Sequence, residues 1–162
     1  MRVRIWPAAV ALLAVAASVP CAAASGTAQA FVDDLYGQYR NSSFCPTCDG
    51  TAARVFDAPL IALIRQDEKL ADGEVGTLDG DPVCDCQDPG GMRAKVLSVA
   101  SLGSSAAAAK VELRFPDGPR QMTLDLVLTK GGWRIHDTHT KDTPSLVKLL
   151  KDGIAEESKQ HK

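Results

Sequence analysis

The chain has 162 residues, 45% of them apolar and only 5% aromatic, with five cysteines and a net charge of −2. That length holds one domain with a core of its own and leaves no room for a second sizeable one. A pI near 5.9 excludes the basic surface of a nucleic-acid binder, and the ordinary apolar fraction excludes wholesale disorder.

Residues 1–24 read as a secretory signal. Arg2 and Arg4 form a positive n-region, Ile5 to Val19 is a nearly unbroken apolar run, and Ala22-Ala23-Ala24 offers small residues for cleavage. Cleavage is expected after Ala24, with Ala28-Gln29-Ala30 a second acceptable site. A lipid anchor on Cys21 is not expected, because Ser18-Val19-Pro20 stands where a Leu-Ala-Gly-like triplet belongs. The predicted location is the periplasm. Losing Arg2 and Arg4 takes the net charge from −2 to −4. No later stretch approaches the roughly 18 apolar residues of a membrane span.

A first helix is predicted from Ala28 to Tyr39, with Phe31 and Leu35 four apart and Thr27 or Ser25 as its cap. A loop from Asn41 to Thr51 follows. The second helix starts at Asp57, an N-cap, with Pro59 tolerated in the first turn, and Asp72-Gly73 closes it. Residues 76–91, rich in glycine and aspartate, read as loop. Next come four strands joined by tight turns, hence antiparallel. Alternation is strict from Ala107 to Phe115, returns through Met122, Leu124, Leu126 and Leu128, and continues in Trp133 and Ile135. A last helix is predicted to take Thr143 as cap and Pro144 as first helical residue, with a polar tail over Glu156–Lys162. The class is α+β: N-terminal helices on a curved four-stranded antiparallel meander, plus a C-terminal helix, in one domain over residues 25–155.

Without Cys21 the cysteines are an even four, Cys45, Cys48, Cys84 and Cys86, a disulfide set for an exported chain. A ring closed between Cys84 and Cys86 is expected to be strained. That leaves the cross-loop pairings, Cys45–Cys86 with Cys48–Cys84 or Cys45–Cys84 with Cys48–Cys86, each closing about 40 residues and worth about 3–4 kcal/mol on the chain-entropy model. Two other chemistries fit the same residues: a four-thiolate zinc site, and a redox dithiol at Cys45-Pro46-Thr47-Cys48. The second is read without the strand and aromatic residue leading in or the helix opening after it, so a structural staple is the expectation.

The carboxylates Asp79, Asp81, Asp85 and Asp88 do not match a calcium loop and read as turn caps. His161 lies in the tail. His136 is expected on the sheet face opposite Trp133 and Ile135, beside Arg134 and Thr138, where Asp81 or Asp88 would be its acid–base partner. His136 and His139 fall on opposite strand faces and make a poor metal pair. No metal, cofactor, nucleophile elbow or phosphate loop is called for by any motif.

The order of motifs, from Phe31-Val32 and Leu35-Tyr36 through Val55-Phe56-Asp57-Ala58-Pro59-Leu60, Leu78-Asp79-Gly80-Asp81-Pro82 and Gln87-Asp88 to Gly132-Trp133-Arg134-Ile135-His136-Asp137, resembles the exported bacterial domain of unknown function 3828 family over about Ala28 to Lys151. Its helix–helix–meander order is also similar to the cone-shaped cystatin-like and nuclear-transport-factor-two-like folds. That resemblance implies a cavity between helices and concave sheet, with Tyr36, Tyr39, Asp57, Asp81, Gln87, Asp88, Trp133 and His136 as matching positions, but transfers no activity. The reading favoured is a periplasmic binding module for a small molecule, a cell-wall component or a protein, contacting it through Tyr36, Tyr39, Gln87 and Trp133. The alternative is a cavity-type lyase, isomerase or hydrolase using His136 with Asp81 or Asp88.

Overall fold

The computed structural model describes residues 26–160; the signal segment, Cys21 and His161 lie outside them. Helix α1 (Ala28–Gly37) is capped by Thr27, whose hydroxyl accepts from the Ala30 N–H at 3.1 Å, as its sequence implies. A 3₁₀ turn over Gln38–Arg40 extends it by one step and carries Tyr39. A short helix not anticipated from sequence, α2 (Ala52–Val55), follows the first cysteine loop. Helix α3 (Ala58–Ala71) begins as predicted: Asp57 accepts from the Leu60 N–H, Pro59 sits in the first turn, and Asp72 ends the helix in the left-handed region.

Strands β1 (Arg93–Ser101), β2 (Ala106–Phe115), β3 (Gly118–Thr129) and β4 (Gly132–His139) form one antiparallel meander in the order β1-β2-β3-β4. The alternating residues Ala107, Ala109, Val111 and Leu113 of β2 lie beside Met122, Leu124 and Leu126 of β3 in one buried cluster with Ile135. Val32, Leu35 and Tyr36 of α1, Leu60 and Ile64 of α3, and Leu150 of α4 (Leu146–Gln160) complete it, so the helices cover one face of the sheet. The α+β class predicted from the alternation is the class observed.

The edge of β4 is where helices and sheet are tied together. Phe56 forms a parallel bridge to Ile135, and the Asp57 N–H donates to the Ile135 carbonyl at 2.9 Å. Arg134 donates to the Ala53 carbonyl at 2.8 Å. Asp137 accepts from the Ser145 hydroxyl at 2.6 Å and from the Val147 N–H at 2.9 Å, which anchors the start of α4.

Three expectations need correction. Helix α4 starts at Leu146, with the Ser145 hydroxyl accepting from the Lys148 N–H; Thr143 instead closes a turn with Thr140 through paired hydrogen bonds. The predicted polar tail is helical through Gln160, so the domain runs past residue 155. The strict alternation of β4 breaks at His136, where the register slips: Ile135 opposes Leu126, but Asp137 opposes Asp125. One extra residue in the strand reverses its phase, and Thr138 lies buried beside Leu124 instead of on the outer face.

The cross-loop disulfides are also not formed. Cys45 pairs with Cys48 and Cys84 with Cys86, at Cα separations of 5.4 and 5.2 Å. The narrow second ring closes because Asp85 adopts a left-handed φ of 52° and the Asp81 N–H donates to the Cys86 carbonyl at 2.8 Å, folding the chain back on itself. Rings this small contribute about 2 kcal/mol each on the chain-entropy model, against about 4 for a 40-residue loop. They pin local geometry and do not cross-link the core.

Candidate functional site

A cavity of about 370 Å³ opens at the end of the sheet where β3 begins and β4 ends. One wall is the loop from Leu78 to Gln87; the others are Arg120 and Met122 of β3, Thr138 and Thr140 at the end of β4, and Leu146 and Leu149 of α4. The loop is held from behind by Asp67, fully buried in α3, whose carboxylate oxygens accept from the N–H groups of Thr77 (3.1 Å) and Leu78 (2.9 Å). Leu60, Ile64 and Asp67 share one helical stripe, so a carboxylate at an apolar position was the signal by which this residue could have been found.

Asp81 stands at the cavity wall. Its Oδ2 accepts from the Tyr39 hydroxyl at 2.6 Å and its Oδ1 from the Val83 N–H at 2.8 Å. Burial pushes its pKa up, and the bonds from Tyr39 and the N–H groups of Val83 and Cys84 oppose that rise. Burial, then the negative charge of Asp81, pushes both Tyr36 and Tyr39 well above the usual phenol range, so both remain protonated donors. Tyr36 spends its proton on the Val83 carbonyl at 3.0 Å. The two rings stack with centroids 6.0 Å apart, which makes them a buttress behind the loop.

Of the residues singled out from sequence, Asp81, Gln87 and Tyr39 come together here. Asp88 turns away to accept from the Gly90 N–H at 2.7 Å. Trp133 is half-buried against the core and pairs with Leu128, about 15 Å up the strand from Thr138. His136 bonds neither Asp81 nor Asp88: its Nδ1 lies 2.6 Å from Oδ2 of Asp57, the buried cap of α3. The dyad envisaged from sequence is therefore replaced by one at the helix–sheet seam, outside the cavity. Tyr36 and Tyr39 also border a second hollow of about 600 Å³ between α1 and β1. Its charged members, Asp33, Arg40 and Arg93, are exposed, whereas the cavity gathers buried or half-buried Asp81, Thr138, Thr140 and Thr143, the arrangement that orients a ligand. Among the described residues no group of three or more potential ligands is placed to hold a metal ion, and the sulfurs are paired in disulfides.

His139 secures the cavity rim. Nδ1 faces the Pro144 carbonyl at 2.6 Å and Nε2 faces Asp125 Oδ2 at 2.9 Å; two acceptors require two ring protons. Burial lowers its pKa, but the Pro144 carbonyl and the Asp125 and Asp137 carboxylates outweigh that and hold it above the ordinary value of 6.5. The stability it contributes is thus fully present below about pH 6.5 and lost as pH rises through the folded-state value. Urea midpoints measured from pH 5 to 9 are expected to fall across that window in the wild type and to lose that component in His139→Gln; identical profiles would show the contacts carry no linkage.

No protein-family model matches the chain. It is 32% identical over 118 residues to the uncharacterized protein YqhG of Escherichia coli (strain K12), a match covering 70% of this chain and 38% of that protein. The chain therefore spans well under half the length of that relative. Among solved structures it is similar, at a TM-score of 0.44 and 12% identity, to a phospholipid-binding protein from Ralstonia solanacearum determined with a phospholipid bound, over 80% of this chain and 73% of that one. Likeness at that level assigns neither ligand nor activity. No helix of the described residues is long and apolar enough to cross a membrane.

Proposed function

We propose that the protein is an exported, periplasmic binding module of the domain of unknown function 3828 type, and that a small amphipathic ligand seats in the cavity at the open end of its sheet. The observation that carries this reading is the cavity itself. Its volume falls within the range of small-molecule sites, about 300–1,000 Å³. Leu78, Met122, Leu146 and Leu149 supply apolar wall, while Thr138, Thr140, Thr143 and Gln87 supply hydroxyl and amide groups. Asp79 and Asp85 are exposed at the mouth and Arg120 is already engaged with the Asp85 carbonyl and Asp117, so the carboxylates favour a ligand carrying hydroxyl or cationic groups over an anion. The wall is preorganised by Asp67, by the Tyr39–Asp81 bond and by the Cys84–Cys86 ring, so little ordering entropy opposes binding. The Gly132–Asp137 stretch that carries part of the family resemblance joins helices to sheet, while Asp81, Pro82 and Gln87 lie in the cavity wall.

No observation favours the acid–base alternative. His136 is engaged with Asp57, and both oxygens of Asp81 are occupied. The test is native mass spectrometry of the protein recovered from cell-envelope extract. Wild type is expected to retain a small-molecule mass. Leu149→Trp, which places an indole at a 40%-exposed position on the cavity wall, is expected to keep the fold and to weaken retention at least about tenfold. A bare chain mass, or equal retention by both proteins, would overturn the reading.

A further inference from the structure

We propose that Cys45–Cys48 is an exchangeable redox disulfide that oxidises a dithiol, while Cys84–Cys86 is structural. Two residues lie within the Cys45–Cys48 ring and one within the narrower Cys84–Cys86 ring, and the two differ in exposure. Cys84 is fully buried among core residues and Cys86 is half-buried in the cavity wall, so neither sulfur of that ring belongs to an exposed residue. Cys48 is exposed and Cys45 half-buried. A disulfide that a thiolate can reach is the labile one.

The Cys45–Cys48 loop keeps its shape without the S–S bond. The Phe44 N–H donates to the Asn41 carbonyl at 3.0 Å before it, and the Thr51 and Ala52 N–H groups donate to the Cys48 carbonyl at 3.1 and 3.0 Å after it. Arg65 reaches across from α3 to the Thr47 carbonyl at 3.1 Å, and the Phe44 ring meets the Tyr39 ring edge-on at 4.9 Å. Reduction therefore leaves the two sulfurs facing each other on a held turn, ready to close again. Phe44 directly precedes Cys45 and the short helix α2 begins four residues after Cys48, so the aromatic residue and the helix expected to be absent are both present.

The chemistry has a direction. A thiolate of the incoming dithiol attacks Cys48 Sγ, the S–S bond breaks, and its electron pair leaves on Cys45 Sγ. Thr47 Oγ1 lies 3.7 Å from that sulfur; a disulfide sulfur bears no proton, so the hydroxyl donates and stabilises the departing thiolate. The second thiolate of the dithiol then attacks its own sulfur in the mixed disulfide, and the electron pair leaves on Cys48. The dithiol loses two electrons and two protons; Cys45 and Cys48 gain two electrons and, through solvent, two protons.

The experiment equilibrates the whole protein with mixtures of reduced and oxidised dithiothreitol, alkylates free thiols and maps them by peptide mass. Cys45–Cys48 is expected to open at a reductant ratio about tenfold lower than Cys84–Cys86. Reduced, unfolded ribonuclease A is then the protein dithiol probe and glutathione the small-thiol probe. A new ribonuclease disulfide formed with loss of Cys45–Cys48 supports the proposal, and opening by glutathione with no ribonuclease disulfide formed would overturn a dithiol as the partner. Cys45→Ser, whose lone Cys48 thiol carries no oxidising equivalent, is expected to form no ribonuclease disulfide. Simultaneous opening of both rings, earlier opening of Cys84–Cys86, or a Cys45–Cys48 bond that neither probe opens would overturn the proposal.

Discussion

Asp67→Ala is expected to cost about 2–4 kcal/mol and to lower the melting temperature by roughly 8–16 °C. Asp67 is 1% exposed, and each of its oxygens accepts a separate backbone N–H, from Thr77 and Leu78. Alanine removes both acceptors, so two backbone donors of half-buried residues lose their partners and the loop loses its anchor to α3. Gly76 follows the same constraint: a Cβ there would lie 2.6 Å from Asp67 Oδ2, so the chain passes close over the carboxylate. Asp67→Asn keeps one acceptor but turns an amide N–H₂ toward a backbone donor, and is expected to fall between wild type and alanine. Thermal melts of the three proteins check the order. Because Thr77 and Leu78 line the cavity, ligand retention is expected to fall with stability in the same order. An alanine variant within about 0.5 kcal/mol of wild type would mean that the loop is held by something other than this carboxylate.

The features legible in advance were the periodic ones. Strict alternation in β2 and β3 marks one face wet and one buried, and turn residues between the strands leave a meander as the economical arrangement. Asp57, Pro59 and Thr27 announce helix starts because their chemistry acts within one turn. What could not be read depends on pairing between distant segments. The bulge at His136 adds one residue to β4 with no glycine or proline to mark it, and that single step moves Thr138 into the core and gives His136 to Asp57. The disulfide pairing turned on a left-handed Asp85, a conformation available to aspartate but not dictated by it. Asp81, Gln87 and Tyr39 were found by their residue types; Asp67, Thr138 and His139 matter through partners 10 or more positions away or in another element, and only the assembled fold brings those partners near.

Gly153→Ala is expected to destabilise the protein by about 1–3 kcal/mol, although the same change in an open helix gains about 1 kcal/mol. Gly153 lies in the middle of α4, a position where glycine is otherwise a liability. A Cβ there would stand 2.0 Å from Thr77 Oγ1, 2.7 Å from its Cγ2 and 2.8 Å from its Cβ, so the absent side chain is what lets the loop after α3 lie against α4. Thr77 cannot retreat, because its N–H is bonded to Asp67. The two predictions therefore concern one junction, the point where α3, α4 and the cavity loop meet. Thr77→Gly removes the three atoms nearest the new methyl. The double variant Thr77→Gly, Gly153→Ala is expected to be more stable than the sum of the single changes by at least about 1 kcal/mol in a urea double-mutant cycle. Strict additivity would show that the two residues do not crowd each other, and that the glycine serves some other purpose in the helix.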